Sequence, residues 1–286
     1  MGRIFSAGKR ALDLSFPICM GILNVTPDSF SDGSNLGKSG SSDFTVDAKK
    51  ALRKAESLVA EGADVIDVGG ESTRPGSSPV AVDEELRRVI PVIKVIKETL
   101  DVCVSVDTSS PVVMMEAVSA GAEIINDVRA FSDPAALEFV VKTNAGLCIM
   151  HMRGRPASMQ KSVHYEDVLG DVSSFLSERT QALLDAGISQ DRLVVDPGFG
   201  FGKSLEHNYQ LLKHLSVLKE LNLPIMVGIS RKSMIGDVIN KPVKERIYGS
   251  LAATVLALNN GASIIRTHDV SATVDSIRVH SLYKRV

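Results

Sequence analysis

Short apolar runs recur along the chain and alternate with longer stretches of helical spacing, the pattern of repeated β-α units. Eight runs read as strands, at residues 18–23, 65–68, 103–106, 124–125, 147–150, 193–196, 225–227 and 263–265. Between them, apolar positions at helical spacing predict helices, among them 44–61 and one starting near Asp83, whose acidic first turn suits the helix dipole. Pro91 is expected to dent that second helix. Ahead of the first strand, two alternating runs flank Ala7-Gly8-Lys9 and predict a β-hairpin that closes one end of the fold.

A short internal echo sets the register. Gly62-Ala63-Asp64-Val65-Ile66-Asp67, Gly121-Ala122-Glu123-Ile124-Ile125-Asn126 and Gly261-Ala262-Ser263-Ile264-Ile265-Arg266 each place a helix-ending glycine just before a buried strand. We read the repeat as architectural. Eight such units in about 260 residues fit a closed (β/α)8 TIM barrel, an α/β fold whose strand C-termini gather at one face. The expectation is a single domain spanning residues 1–286.

Composition changes this picture little. Hydrophobic residues make up 44% and charged residues 23%, ample for a core and too apolar for disorder. A formal charge of −2 argues against a general nucleic-acid or membrane-surface binder, so any anion site must be local. Cys19, Cys103 and Cys148 lie in apolar runs without metal-ligand spacing and read as reduced, buried thiols. No apolar run is long enough for a membrane span, and the first ten residues lack a signal-peptide core, so the expected location is the cytoplasm.

The chemistry gathers where strands end. VVDPGFGFGKS (194–204) puts Asp196 at a strand's mouth before a glycine-rich turn. Its GKS suggests a phosphate-cradling loop, but that loop needs glycine five places before the glycine of GKS, where this chain has Pro197. Asp107, Asn126, Asp196 and Lys232 follow four strands; Asn24, Thr73, Arg74, Arg266 and His268 follow three others. Taken singly, each has a structural explanation: Asp107 before Thr108-Ser109-Ser110-Pro111 caps a helix, and Asp127 caps the next turn. Taken together on one barrel face they describe a polar pocket, with Arg266, His268 and Arg74 as an anion site. His164, His207, His214 and His280 read as surface or packing residues. The helical stretch 249–258, apolar almost all round, suits core or subunit contact.

The motifs MGILNVTPDSFSDG (20–33), GADVIDVGGESTRPG (62–76), SVDTS (105–109), INDVR (125–129), MHM (150–152), DPGFGFGK (196–203), GISRKSMIG (228–236) and RTHDV (266–270) closely resemble those of bacterial dihydropteroate synthases, in family order over nearly the whole chain. The resemblance implies an alkyl-group transferase of folate biosynthesis. It would condense 6-hydroxymethyl-7,8-dihydropterin diphosphate with 4-aminobenzoate, using Mg2+, releasing pyrophosphate through a dissociative step. It also implies a homodimer and a sulfonamide target. By motif match the pterin would meet Asp107, Asn126, Met150, Asp196, Gly228 and Lys232. The diphosphate would meet Asn24, Thr73, Arg74, Arg266 and His268, with Asn24 on Mg2+. Aminobenzoate would lie by Thr73, Arg74, Phe201, Lys232 and Ser233, and Asp107, Lys232, Arg266 and His268 form the catalytic set. Residues 27–42 read as a lid. The rivals are a folate-binding domain of a corrinoid methyltransferase, which would not need the NVTPDSFSDG and ESTRPG loops, and a non-catalytic pterin-binding paralogue.

Overall fold

The computed structural model describes residues 4–26, 46–71, 80–154, 159 and 163–286. The predicted hairpin forms from β1 (Ile4–Ala7) and β2 (Arg10–Asp13), antiparallel about Gly8. Eight parallel strands then pair in chain order: β3 (Ile18–Asn24), β4 (Val65–Gly69), β5 (Cys103–Asp107), β6 (Ile124–Asp127), β7 (Gly146–Met150), β8 (Leu193–Asp196), β9 (Met226–Val227) and β10 (Ile264–Thr267). β10 pairs back onto β3, and the β8–β9 seam is joined by a parallel bridge between Val195 and Ile225. The sheet is therefore a closed barrel, as the sequence pattern predicts.

Helices α1 (Ala48–Ala60), α2 (Val82–Thr99), α3 (Pro111–Ser119), α4 (Pro134–Val141), α5 (Val168–Asp185), α6 (Leu205–Lys213), α7 (Ser233–Ile239), α8 (Ile247–Asn259) and α9 (Val270–Arg285) cover it. Their starts follow local chemistry. Asp47, Ser110, Asp133 and Asp167 accept first-turn amides, and Pro111 and Pro134 occupy the first helical position, where no N–H is needed. Asp107 is not the cap of α3; Ser110 is, which leaves the Asp107 carboxylate for the mouth. Asp127 does bind its own turn, accepting from the Arg129 and Phe131 amides at 2.8 and 2.7 Å. The echo glycines Gly62, Gly121 and Gly261 share φ of 100, 109 and 106°, a left-handed helix stop that a side chain would resist. α2 runs unbroken through Pro91, which lies on the helix's exposed face.

Alternation along the strands sorts the barrel interior into layers. The bottom layer is apolar: Met20, Val65, Cys103, Ile124, Cys148, Val194, Met226 and Ile264 pack with Phe5, Ala7 and Leu14 of the hairpin segment. The hairpin is thus a plug. Phe5 is 1% exposed, and a Cβ on Gly146 would stand 2.6 Å from its ring, so the missing side chain admits the aromatic.

Candidate active site

Two residues further along each strand the interior turns polar. The layer above the plug holds Ile22, Asp67, Ser105, Asn126, Met150, Asp196, Gly228 and Arg266, and above it stand Asn24, Gly69, Asp107 and His268. Asp67, Ser105, Asn126, Met150 and Asp196 are all buried.

Charge is organised around Arg266. Its Nε donates to Asp67 and its Nη2 to Asp107, both at 2.7 Å, so one guanidinium bridges carboxylates on two neighbouring strands. Asn126 Nδ2 reaches the same Asp67 oxygen at 3.4 Å. Burial raises the Asp107 carboxyl above its ordinary range; Arg266 opposes that rise, and Asp67 adds to it. Burial works against the Arg266 cation too, but Asp67 and Asp107 outweigh it and hold the group charged. The fork expected to grip a diphosphate is therefore already partly committed to protein carboxylates. To reach an anion, Arg266 has three N–H groups left, two on Nη1 and one on Nη2.

Asp67 is absent from the candidate residues read from sequence, yet a signal for it was present. The sixth positions of the internal echo are Asp67, Asn126 and Arg266, and these three side chains meet in the barrel. The repeat carries chemistry as well as architecture, because equal spacing from a helix-ending glycine delivers each side chain inward at one height.

On the opposite wall, Asp196 accepts from the Gly198 amide at 2.7 Å. Burial raises its carboxyl, with Lys232 as the largest opposing influence. Lys232 donates to the Phe199 carbonyl at 2.5 Å and sits 4.5 Å from the centre of the Phe201 ring, a cation–π contact. Burial pulls its ammonium down to about 8, and Asp196 resists. Ser233 opens α7 directly after it. Gly228 leaves room beside Arg266, whose Cβ and Cδ would lie 3.8 Å from any Cβ placed there. His268 is tied to the β9 loop: its amide donates to Ser230 Oγ at 3.2 Å, and its Nδ1 lies 3.2 Å from the same oxygen. Arg231 and Asp269 clamp the same two loops together, with Nε to Oδ2 at 3.0 Å.

Asn24 ends β3 beside β4; a Cβ on Gly69 would lie 3.6 Å from its Oδ1 and 3.5 Å from the Asp107 Cβ. Thr73, Arg74 and the expected lid 27–42 lie outside the described residues. Among the described residues no group of three or more His, Cys, Asp or Glu is arranged to hold a metal ion. The hard Asn24 oxygen beside the Asp107 carboxylate suits Mg2+ only if phosphate oxygens and water complete its shell, which is how that ion is commonly held.

The layer is poised for a polar ligand. Asp67 Oδ1, Ser105 Oγ and Asn126 Oδ1 are buried without a hydrogen-bond partner among the described residues. Unpaired buried polar atoms are costly, so a ligand or water that pairs them gains what the protein forgoes.

Comparison with known proteins agrees with this geometry. The family model described as "Pterin binding enzyme" matches residues 20–268. The dihydropteroate synthase of Escherichia coli strain K12 is 50% identical over 277 residues, covering 97% of this chain and 95% of that protein. The Yersinia pestis dihydropteroate synthase in a sulfonamide drug complex superposes with a TM-score of 0.91 at 46% identity, covering 99% of this chain and 100% of that one. The Xanthomonas albilineans enzyme with 4-aminobenzoic acid gives 0.91 at 44% identity, covering all of both chains. Matched over nearly its full length by these relatives, this (β/α)8 barrel with a buried polar mouth belongs to the bacterial dihydropteroate synthases.

Proposed function

We propose that the polar layer of the barrel mouth is where this dihydropteroate synthase joins 6-hydroxymethyl-7,8-dihydropterin diphosphate to 4-aminobenzoate, forming 7,8-dihydropteroate and pyrophosphate. The observation that carries the assignment of roles is the pair of walls around the pocket. Asp196 and Lys232 face one side, and Asp67, Arg266, Asp107 and Asn126 make the other.

The pterin's amino-pyrimidine edge offers N–H donors, which a buried carboxylate at Asp196 and the amide of Asn126 accept. The Lys232 ammonium donates to the ring oxygen and nitrogen, while Met150 and Gly228 bound the ring. As the C–O bond to the diphosphate breaks, positive charge grows on the exocyclic carbon and spreads into the ring. Asp107 is fixed by Arg266, so its carboxylate stabilises that charge without reorganising. The aminobenzoate nitrogen, held near Phe201, Lys232 and Ser233, then forms the new C–N bond and releases a proton to solvent, and pyrophosphate leaves with the bonding electrons. No dedicated base is needed, because an arylamine adding to a cation becomes acidic.

Asn24 and His268 serve the leaving diphosphate, with Thr73 and Arg74 completing that subsite and the aminobenzoate subsite. Arg266 acts first as the brace of Asp67 and Asp107. Asn24, together with diphosphate oxygens, would hold Mg2+, which would neutralise charge on the leaving group. We read residues 1–286 as one domain acting in the cytoplasm; no described helix is long and apolar enough to cross a membrane, and Cys19, Cys103 and Cys148 are buried free thiols. We also read the protein as a homodimer. Tyr248 and Leu256 of α8 and Val279, Leu282 and Tyr283 of α9 form an exposed apolar face on two helices that pack together.

Calorimetric titration tests the pocket. The wild type binds the pterin diphosphate, and Asp196→Asn, which cannot accept both N–H bonds as an anion, loses about 30-fold or more, the effect of one charged hydrogen bond. Unchanged affinity in a folded Asp196→Asn protein would place the pterin elsewhere.

A further inference from the structure

The GKS lysine takes no part in the roles assigned above, and it is not at the surface. Lys203 is 3% exposed. Its ammonium meets His151 Nδ1 at 2.9 Å, the Gly198 carbonyl at 2.9 Å and the Phe201 carbonyl at 3.2 Å, with the His151 carbonyl at 3.4 Å. Three N–H groups and three close acceptors match one for one. Burial pulls the Lys203 ammonium down to about 7, with Asp196 opposing; below that pH it only donates, so His151 Nδ1 accepts and the ring proton sits on Nε2. Burial and the Lys203 charge pull His151 down to about 3, which keeps the ring neutral.

This cage ties the 197–203 loop to the end of β7. Gly198 and Gly202 have φ of 68 and 63°, and a Cβ on them would lie 1.9 Å from the His151 carbonyl oxygen and 2.3 Å from that of Arg153. The loop backbone therefore lies flush on residues 151–153, and Lys203 rivets the two. Asn208 completes the fastening, accepting from the Gly200 amide at 2.7 Å and donating to the Ser204 carbonyl at 2.6 Å. The two lysines then hold alternate parts of one loop: Lys203 takes the carbonyls of Gly198 and Phe201, and Lys232 takes that of Phe199 at 2.5 Å.

We propose that Lys203 is a positioning residue for the second substrate: by caging the loop carbonyls it sets the Phe201 ring against Lys232, and so shapes the aminobenzoate subsite. This rests on the assignment of that subsite to Phe201, Lys232 and Ser233. It predicts unequal effects on the two substrates: Phe201 hangs from the cage directly, whereas the pterin pocket meets it only through the Gly198 amide on Asp196, and Asp67, Asn126, Asp107 and Arg266 form no bond with it.

The test uses the full-length protein. In Lys203→Met, the KM for 4-aminobenzoate rises tenfold or more, while calorimetric affinity for the pterin diphosphate falls by a clearly smaller factor. His151→Leu, which removes one acceptor, moves the aminobenzoate KM in the same direction by a smaller factor. His151→Asn, which keeps an acceptor near the Nδ1 position, stays within twofold of wild type. Nitrogen-15 spectra of histidine-labelled wild type show His151 as the Nε2–H tautomer below about pH 7, where Lys203 is an ammonium. A folded Lys203→Met protein with aminobenzoate KM within twofold of wild type overturns the proposal, as does a His151→Leu protein with unchanged KM where Lys203→Met fails to fold. Wild-type protein that binds pterin without measurable aminobenzoate dependence overturns the subsite assignment itself, and so is distinguishable from failure of the cage.

Discussion

Replacing Asp67 with asparagine removes one charge from the buried bridge and little volume. Asp67 is fully buried and receives Arg266 Nε at 2.7 Å and Asn126 Nδ2 at 3.4 Å. Charge centres about 4 Å apart interact by about 4 kcal/mol at an effective dielectric near 20. Part of that attraction is offset, because asparagine costs less to bury than a carboxylate, and Arg266 keeps its bond to Asp107. The net loss of stability is therefore about 2 kcal/mol, the range of a single charged hydrogen bond. The effect on chemistry follows from geometry. Without the Asp67 bond Arg266 is no longer braced, so the Asp107 carboxylate it holds loses its fixed position against the developing cation, and kcat falls about 10- to 100-fold, equivalent to about 1.4 to 2.7 kcal/mol. Urea unfolding gives the first quantity and single-turnover kinetics at saturating substrates gives the second. A variant with stability within about 0.5 kcal/mol of wild type and undiminished turnover would refute the view that Asp67 braces the catalytic wall.

Other consequences are as direct. Burial pulls Lys232 down to about 8, so its ammonium is present below that pH and lost above it; kcat/KM for the pterin diphosphate should fall about tenfold per unit on the alkaline side, and a flat profile to about pH 10 would contradict the donor role. Removing Arg266 as Arg266→Met takes away what opposes the raised Asp107 carboxyl. A raised carboxyl favours the protonated folded state; the wild-type group is already up to about 7, so this variant loses stability relative to wild type as pH climbs above about 7, and a pH-independent difference would count against it. Phe5→Ala empties the plug and should cost about 3–5 kcal/mol in urea unfolding while leaving substrate affinities in place; a loss under about 1 kcal/mol would show that the hairpin is ornamental to the barrel. Leu256→Glu with Val279→Glu should convert dimer to monomer by light scattering, whereas an unchanged mass would move the interface elsewhere.

Strand positions were legible in the sequence because each is a β-branched apolar run bounded by glycine or polar residues, and the hairpin because alternation flanks a turn tripeptide. The site was legible where a polar residue ends such a run, as at Asp107, Asn126, Asp196 and Arg266. Asp67 escaped because it lies inside its run, with Val68 and Gly69 after it, and its pairing with Arg266 crosses 199 residues of sequence. The commitment of the Arg266 fork escaped for the same reason: a partner fixed by barrel closure leaves no local trace. Lys203 misled in the opposite direction, since its glycine-rich surroundings suggest an anion loop. Those glycines serve a close backbone approach to β7, a property of tertiary packing. Local capping was also ambiguous from sequence, because Asp107 and Ser110 both precede the proline that starts α3, and only the strand's length decides between them.

The most direct test of the central claim is simultaneous measurement of pyrophosphate and dihydropteroate from the purified chain, given the dihydropterin diphosphate and Mg2+ with and without 4-aminobenzoate. The account predicts equimolar products that appear only when 4-aminobenzoate is present and that are lost in Asp107→Ala. Tight pterin binding without turnover, or turnover indifferent to Asp107, would contradict it.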